Sequence, residues 1–314
     1  MSLLNKKKNS TPGYDDIVYE YLFNMPFLHQ TLATAFTRIR DKGIAPKSWG
    51  ESKVILIKKD SEASDNDPCN FCMISLTLNI GKLFHTLEAG RTLSFMLENK
   101  YLDPSAQKAY VNGINGCVEH VTVVNEAIQH AKLNHKTLHA TWFDLRDAFG
   151  SVPHVLIEYV MSYYHIPIQI INYIKNLYSK FEGKVFTKNW ESEWFKFLQG
   201  VFQGDPFSGI IFLIVFNPII EYLKTQKEMH GYQLTTKTKG VKNVVTIPFA
   251  DDFNLLRREK SMHQKLISDI EEKIESMGLV LKPEKCRSLS IEKGKVENIK
   301  FKLTNKLTRN SIIL

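Results

Sequence analysis

The stretch that decides the reading of this chain is Val244-Val245-Thr246-Ile247-Pro248-Phe249-Ala250-Asp251-Asp252-Phe253-Asn254-Leu255-Leu256. Apolar arms at 244–248 and 253–256 flank a turn with two adjacent carboxylates, a pattern that predicts a β-hairpin. Two like charges about 4 Å apart repel by roughly 1 kcal/mol in water and by several when partly desolvated. A solvated acidic turn tolerates that repulsion, and a bound cation removes it. Because successive strand residues point to opposite faces, Asp251 is expected to be the principal ligand of the two.

Working outward, residues 137–145 read as an apolar strand, with Asp144 near its end. A carboxylate held beside a buried strand is costly unless something compensates its charge, so three acids are expected to converge. Hard oxygen ligands on short strands suit Mg²⁺, which keeps waters and is shared with substrate phosphates.

Upstream of the hairpin, Gln203-Gly204-Asp205-Pro206 opens an apolar helix predicted to run to about Leu223, with Pro206 suited to the first turn. A hairpin with aromatic residues is predicted at 184–197. Helices are predicted at 79–100, 118–131, 153–164 and 168–180. Near the start, Asp16 is expected to cap one helical stretch carrying Ile17, Tyr21, Leu22, Met25, Leu28, Leu32 and Phe36. A strand at 52–57 ends in Lys58-Lys59, before an acidic loop at 60–67.

The chain has 314 residues, about two domains' worth, with no internal repeat and no Ser/Gly/Pro-rich linker. Its 43% hydrophobic and 24% charged residues exclude a disordered or fibrous chain. The longest apolar run, 210–216, is closed by Asn217-Pro218, short of the roughly 18 residues a membrane helix needs, so no span and no membrane partner are expected. Residues 1–8 lack the apolar core of a secretory signal, which points to an intracellular protein. Four cysteines, including the lone pair Cys69 and Cys72, read as ordinary thiols of a reducing compartment. The informative figure is a net charge of +8, which suggests a polyanionic partner. Residues 282–309 carry nine Lys/Arg against three Asp/Glu, a local excess of positive charge that could follow a nucleic-acid backbone.

Three ordered motifs carry a family resemblance: Phe143-Asp144-Leu145-Arg146-Asp147-Ala148-Phe149, Gln203-Gly204-Asp205-Pro206, and Phe249-Ala250-Asp251-Asp252. Further matches are Pro46-Lys47-Ser48-Trp49, Gly81-Lys82-Leu83-Phe84, Gln107-Lys108, and Gly278-Leu279 with Lys285-Cys286. Over residues 11–290 the chain resembles reverse transcriptases of non-LTR (LINE-type) retrotransposons. The resemblance implies an α+β chain with a right-hand polymerase fold, an antiparallel palm sheet with packed helices, and a mostly helical fingers subdomain. It places fingers at about 11–135 and 155–190 and palm at about 136–154 and 191–290. Residues 291–314 would be a basic end from a truncated thumb.

What it implies for function is RNA-directed DNA polymerisation, with an RNA template, a DNA primer and dNTPs as partners. Asp144, Asp251 and Asp252 would hold two Mg²⁺ ions, with Mn²⁺ as a substitute, in two-metal phosphoryl transfer. Lys285 could protonate leaving pyrophosphate. The nucleotide would be met by Lys58, Lys59, Arg146, Asp147, Ala148, Phe149, Gln203 and Gly204, with Phe149 under the sugar, where a ribose 2′-hydroxyl would clash. Lys293, Lys295, Lys300 and Lys302 would touch nucleic acid.

The pattern also departs from the family. Asn70-Phe71-Cys72-Met73-Ile74 stands where Asn-Tyr/Phe-Arg-Pro-Ile is common, so the arginine expected on the triphosphate is absent. Ser208-Gly209 replaces Ser-Pro, and Lys108-Ala109-Tyr110 replaces Lys-Gly-Phe. These departures support an alternative: a catalytically impaired, nucleic-acid-binding remnant of such an element.

Overall fold

The structure, a computed structural model, describes residues 11–62, 64, 66–67, 70–111, 113, 116–226, 231–236, 240–305 and 310–314. The readings made on residues 1–8, on Cys69 and on 306–309 lie outside these. Strands run Glu51–Lys58 (β1), Phe71–Leu76 (β2), Leu138–Phe143 (β3), Glu182–Val185 (β4), Phe195–Lys196 (β5), Tyr232–Thr236 (β6), Gly240–Val244 (β7), Phe253–Arg257 (β8), Arg287–Glu292 (β9), Lys295–Glu297 (β10), Lys302–Asn305 (β11) and Asn310–Ile313 (β12). They form part of two compact units, 1–98 with 152–212, and 99–151 with 213–314.

The first unit holds a mixed sheet of order β2-β1-β4-β5, with β1 antiparallel to β2 and parallel to β4. The predicted hairpin at 184–197 is present as β4 and β5, paired through Glu182 and Lys196. Helices Phe27–Lys42, Asn79–Glu98, His154–Tyr163 and Ile168–Tyr178 surround a cluster in which Phe84 contacts Phe36, Trp49 and Tyr173 at ring separations of 5.0–5.4 Å. The single helix expected from Ile17 to Phe36 is two, Tyr19–Asn24 and Phe27–Lys42. Pro26 interrupts it, because proline has no N–H to donate and its ring clashes with the preceding turn. Asp16 does not cap it: it has φ 54°, and the N-cap position is Val18.

The second unit is built on the antiparallel palm sheet, order β10-β9-β3-β8. Alternation in β3 sends Leu138 and Ala140 into a core with Ala127, Ala131, Tyr232, Leu234, Leu256 and Ile291, under the helix Gly116–Leu133. His139 and Thr141 go to the other face, where His139 meets Ser290 and Thr141 meets His263 of the helix Lys260–Ser276. Residues 99–135, expected with the fingers, are grouped with this sheet, since their long helix packs on β3, β6 and β9.

Helix Pro206–Thr225 belongs to both units, with 206–212 in the first and 213–225 in the second. Among the described residues it is the one helix long and apolar enough to cross a bilayer, and 78% of its apolar window is buried within the protein.

Candidate active site

The arms expected at 244–248 and 253–256 do face each other across the turn, but only the second is a regular strand. Residues 245–248 are not a regular strand, and β8 pairs with β3 while keeping one ladder bond to the first arm, Leu256 N–H to Val245 C=O at 2.9 Å. Pro248 cannot donate a ladder bond, and the side chain of Asn254 takes the Ile247 N–H at 3.0 Å in place of a backbone carbonyl. The turn itself is closed by Phe249 N–H to Asp252 C=O at 2.7 Å and Asp252 N–H to Phe249 C=O at 3.1 Å. Ala250 inside it has φ 56°, a left-handed conformation that breaks strict strand alternation.

Antiparallel pairing of Phe143 with Phe253 brings the end of β3 beside the start of β8. The two rings stack at 4.8 Å with an interplanar angle of 7°. Asp144 follows the first phenylalanine and Asp252 precedes the second, so the sheet register itself gathers the acids. Their coupling shows in their proton affinities. Burial raises the Asp251 pKa, and the charges of Asp252 and Asp144 raise it further. Asp252 is also raised, by burial and then by Asp144, while Lys285 pulls it down.

Lys285 reaches this position through a distant segment laid beside the strand end. Lys282 N–H donates to Asp144 C=O and Arg146 N–H to Val280 C=O, both at 2.7 Å, with a bridge between Leu145 and Leu281. Arg146 is exposed and stands 3.6 Å from Glu284. Ala148 is buried and Phe149 half-buried; Asp147, at φ 44°, lays its carboxylate where a side chain at Gly150 would go. Asp252 also lines a groove of about 480 Å³ with Cys117, His120, Trp142, Phe249 and Phe253.

The remaining predicted residues fall elsewhere. In the first unit, Lys58 ends β1 and Lys59 follows it, and Lys58 Nζ donates to Ser61 C=O at 3.0 Å. Gln203 accepts the Ser75 N–H at 2.8 Å, and Gly204 has φ 111°, a region in which a side chain would be strained. Lys293, Lys295, Lys300 and Lys302 are all exposed in the second unit, on β10, β11 and the segments leading to them.

Two residues with a bearing on the site lie in stretches that the sequence reading aligned, Gln107-Lys108 and Lys108-Ala109-Tyr110, but to which it gave no role. Gln107 is buried, with its amide on the main chain of Ala250. Tyr110, at φ 59°, has its pKa raised by burial and then by the charge of Asp251. Both contacts span more than 140 residues, beyond the reach of any local periodicity.

The donor chemistry fits a divalent cation: three mutually repelling carboxylate groups offer hard oxygens and gain from positive charge. Among the described residues no three His, Cys, Asp or Glu side chains form a ready-made cage. Mg²⁺ does not require one, since waters and phosphate oxygens complete its shell.

An all-antiparallel sheet whose strand ends gather three acids, with helices packed on it, belongs to the right-hand polymerase fold. Solved structures with this architecture include apo telomerase from Candida tropicalis truncated from its C-terminal domain, with TM-score 0.56, 15% identity, and coverage of 95% of this chain and 61% of that one. Telomerase from Candida albicans in complex with a fragment of telomeric RNA has TM-score 0.51 and 11% identity, over 88% of this chain and 49% of that one. Residues 75–303 match the family described as reverse transcriptase (RNA-dependent DNA polymerase), and the chain belongs to that family.

Its curated relatives are retrotransposon polyproteins. It is 27% identical over 274 residues to the Pol polyprotein of the type-1 retrotransposable element R2 of Nasonia vitripennis, and 24% identical over 285 residues to that of Popillia japonica. The chain spans 25% of the first polyprotein and 38% of the second, against 87% and 90% of its own length.

Proposed function

We propose that this chain is the RNA-directed DNA polymerase core of a non-LTR retrotransposon, adding dNTPs to a primer 3′-hydroxyl on an RNA template by two-metal phosphoryl transfer. The observation that carries the reading is the convergence of Asp144, Asp251 and Asp252 at one end of the palm sheet, with Lys285 as the cation beside Asp252.

In this reading the three aspartates would hold two Mg²⁺ ions, or Mn²⁺. Such ions, when bound, neutralise phosphate oxygens and lower the proton affinity of a coordinated hydroxyl. Lys285 supplies a positive charge beside Asp252 and a proton for the departing pyrophosphate oxygen. Phe149 and Ala148 form the wall under the sugar, and Arg146 and Asp147 flank them. Gln203 and Gly204 offer an amide and an open stretch of backbone to the nucleotide, and Lys58 and Lys59 offer charge to its triphosphate. The exposed lysines 293, 295, 300 and 302 track the nucleic-acid backbone. In this reading the fingers take about 11–135 and 155–190 and the palm about 136–154 and 191–290, a division that departs from the two compact units at 99–135 and at 191–212.

Primer extension tests this. With Mg²⁺, an RNA template, an annealed DNA primer and saturating dNTPs, the wild type extends and Asp144→Ala does not. If neither extends, the enzymatic reading is abandoned.

A second reading has its own observation. Where the resemblance calls for an arginine, β2 carries a half-buried Cys72 beside an exposed Met73. A catalytically impaired remnant would bind nucleic acid without incorporation. Its log affinity would fall linearly with log salt, and Asp251→Asn would leave binding unchanged or slightly stronger. Salt-insensitive binding, or none, excludes it.

A further inference from the structure

The turn that presents Asp251 and Asp252 cannot hold its own shape. Ala250 sits at φ 56°, a region that lowers a non-glycine residue's population by roughly tenfold. The two turn bonds between Phe249 and Asp252 bridge Ala250 without engaging its own N–H or C=O. Both of those groups are met from outside. The Ala250 N–H donates to Gln107 Oε1 at 3.0 Å, and the Ala250 C=O accepts from Gln107 Nε2 at 3.3 Å.

Gln107 is itself held. The Ala109 N–H donates to the same Oε1 at 3.1 Å, and the side chain is 2% exposed. A side-chain amide offers a donor and an acceptor in one plane, the complement of a single residue's backbone groups. An apolar side chain in its place would leave the N–H and C=O of a buried Ala250 without partners.

We propose that Gln107 is a positioning residue for the catalytic carboxylates: its amide clamps the main chain of Ala250 in the left-handed conformation and so fixes the directions in which Asp251 and Asp252 leave the turn. The catalytic consequence rests on the polymerase reading, whereas the clamp does not. Tyr110, three residues after Gln107 and within reach of Asp251's charge, places the same loop against the same turn.

The test compares Gln107→Ala, Gln107→Met, Ala250→Gly and Gln107→Ala/Ala250→Gly with wild type. Met keeps the volume of Gln and guards against a loss of fold in the alanine variant. In primer extension, both Gln107 variants lose at least about tenfold in kcat with the dNTP KM held within about threefold, since a small misplacement of reacting groups acts on the chemical step. Ala250→Gly removes the backbone penalty and is the reference against which the double variant is read. Added to Gln107→Ala, it recovers at least about threefold in kcat, a rescue that general destabilisation would not give.

The second readout needs no activity. Hydrogen exchange resolved to single amides accelerates at least about tenfold at Ala250 and Asp252 in both Gln107 variants, while the β3 amides keep their protection. Unchanged exchange at those two amides, or a double variant no more active than Gln107→Ala, overturns the proposal. If the wild type itself incorporates nothing, the polymerase reading falls and the exchange result alone decides the clamp.

Discussion

His263 makes the palm sheet sensitive to acid. The ring is fully buried in the helix Lys260–Ser276, with Nε2 paired to Thr141 Oγ1 of β3 at 2.7 Å. Its Nδ1 has no partner, and the rings of Phe301 and His139 lie 4.6 and 5.9 Å away. Burial, followed by the neighbouring His139 and Arg257, drives its pKa from 6.5 down to about 3. The folded state therefore resists a proton that the unfolded chain accepts near pH 6.5. Above that pH both states are neutral and the group adds no pH dependence. Between about 6.5 and 3 stability falls as pH falls, by about 1.36 kcal/mol per pH unit for this one group. At pH 5 the loss is about 2 kcal/mol, a large fraction of a typical domain's stability of roughly 5–15 kcal/mol.

His263→Gln isolates the effect, because glutamine can still pair with the Thr141 hydroxyl and does not titrate. Urea unfolding of both proteins from pH 7.5 to 4.5 gives the measurement, and every shared carboxylate cancels in the difference. The wild type is expected to lose about 2–3 kcal/mol more than the variant over that range, with the curves separating below pH 6.5. Curves that stay parallel would refute the argument, since they would mean that His263 gains its proton in the folded state or is not buried there. The same mechanism predicts that the acid limb of any primer-extension profile tracks unfolding of the palm.

Other perturbations reach the site directly. Asp251→Asn removes a charge that Asp252 and Asp144 oppose, so without divalent ions its melting temperature should rise by a degree or two, equivalent to about 0.5–1 kcal/mol. Added Mg²⁺ should stabilise the wild type and not this variant, whose primer extension should fall at least about 10²-fold. Phe149→Ala should reduce discrimination between dNTPs and NTPs at least about tenfold, read as a ratio of kcat/KM values. Cys72→Arg should lower the dNTP KM about tenfold to a hundredfold, the equivalent of one charge-assisted contact of roughly 1.5–3 kcal/mol; an unchanged KM would mean that β2 does not face the triphosphate.

The acids were legible because the chemistry they carry is written in adjacent residues. Asp251-Asp252 between apolar arms, and Asp144 at the end of Leu138–Phe143, each announce a cost that local sequence can register. The helices at 79–98, 154–163 and 168–178 were legible for the same reason, since apolar spacing is local. Legibility failed where a contact made far along the chain overrode the local pattern. Residues 245–248 look like a strand, yet β7 pairs with β6, and the side chain of Asn254 replaces a ladder bond. Pro26 was visible as a residue, but the apolar spacing across it outweighed its missing N–H.

Each unit supports one motif loop in the same physical way. In the second unit the turn of Asp251 and Asp252 is held by the buried amide of Gln107. In the first, the loop of Gln203 and Gly204 runs into Asp205, whose carboxylate accepts from His85 Nδ1 at 2.5 Å and from the Phe207 N–H at 2.9 Å. The Tyr173 hydroxyl lies 2.6 Å from His85 Nε2; with the proton on Nδ1, the ring accepts from the tyrosine and donates to the aspartate, so both nitrogens are satisfied. A loop whose backbone adopts a rare conformation has no neighbouring strand to supply hydrogen bonds, and buried polar side chains from elsewhere supply them. Such side chains act on the loop backbone, a role that local residue pattern does not reveal. Their loss would nonetheless be felt at the reacting atoms, because a fully satisfied buried network admits few alternative geometries and a broken one admits many.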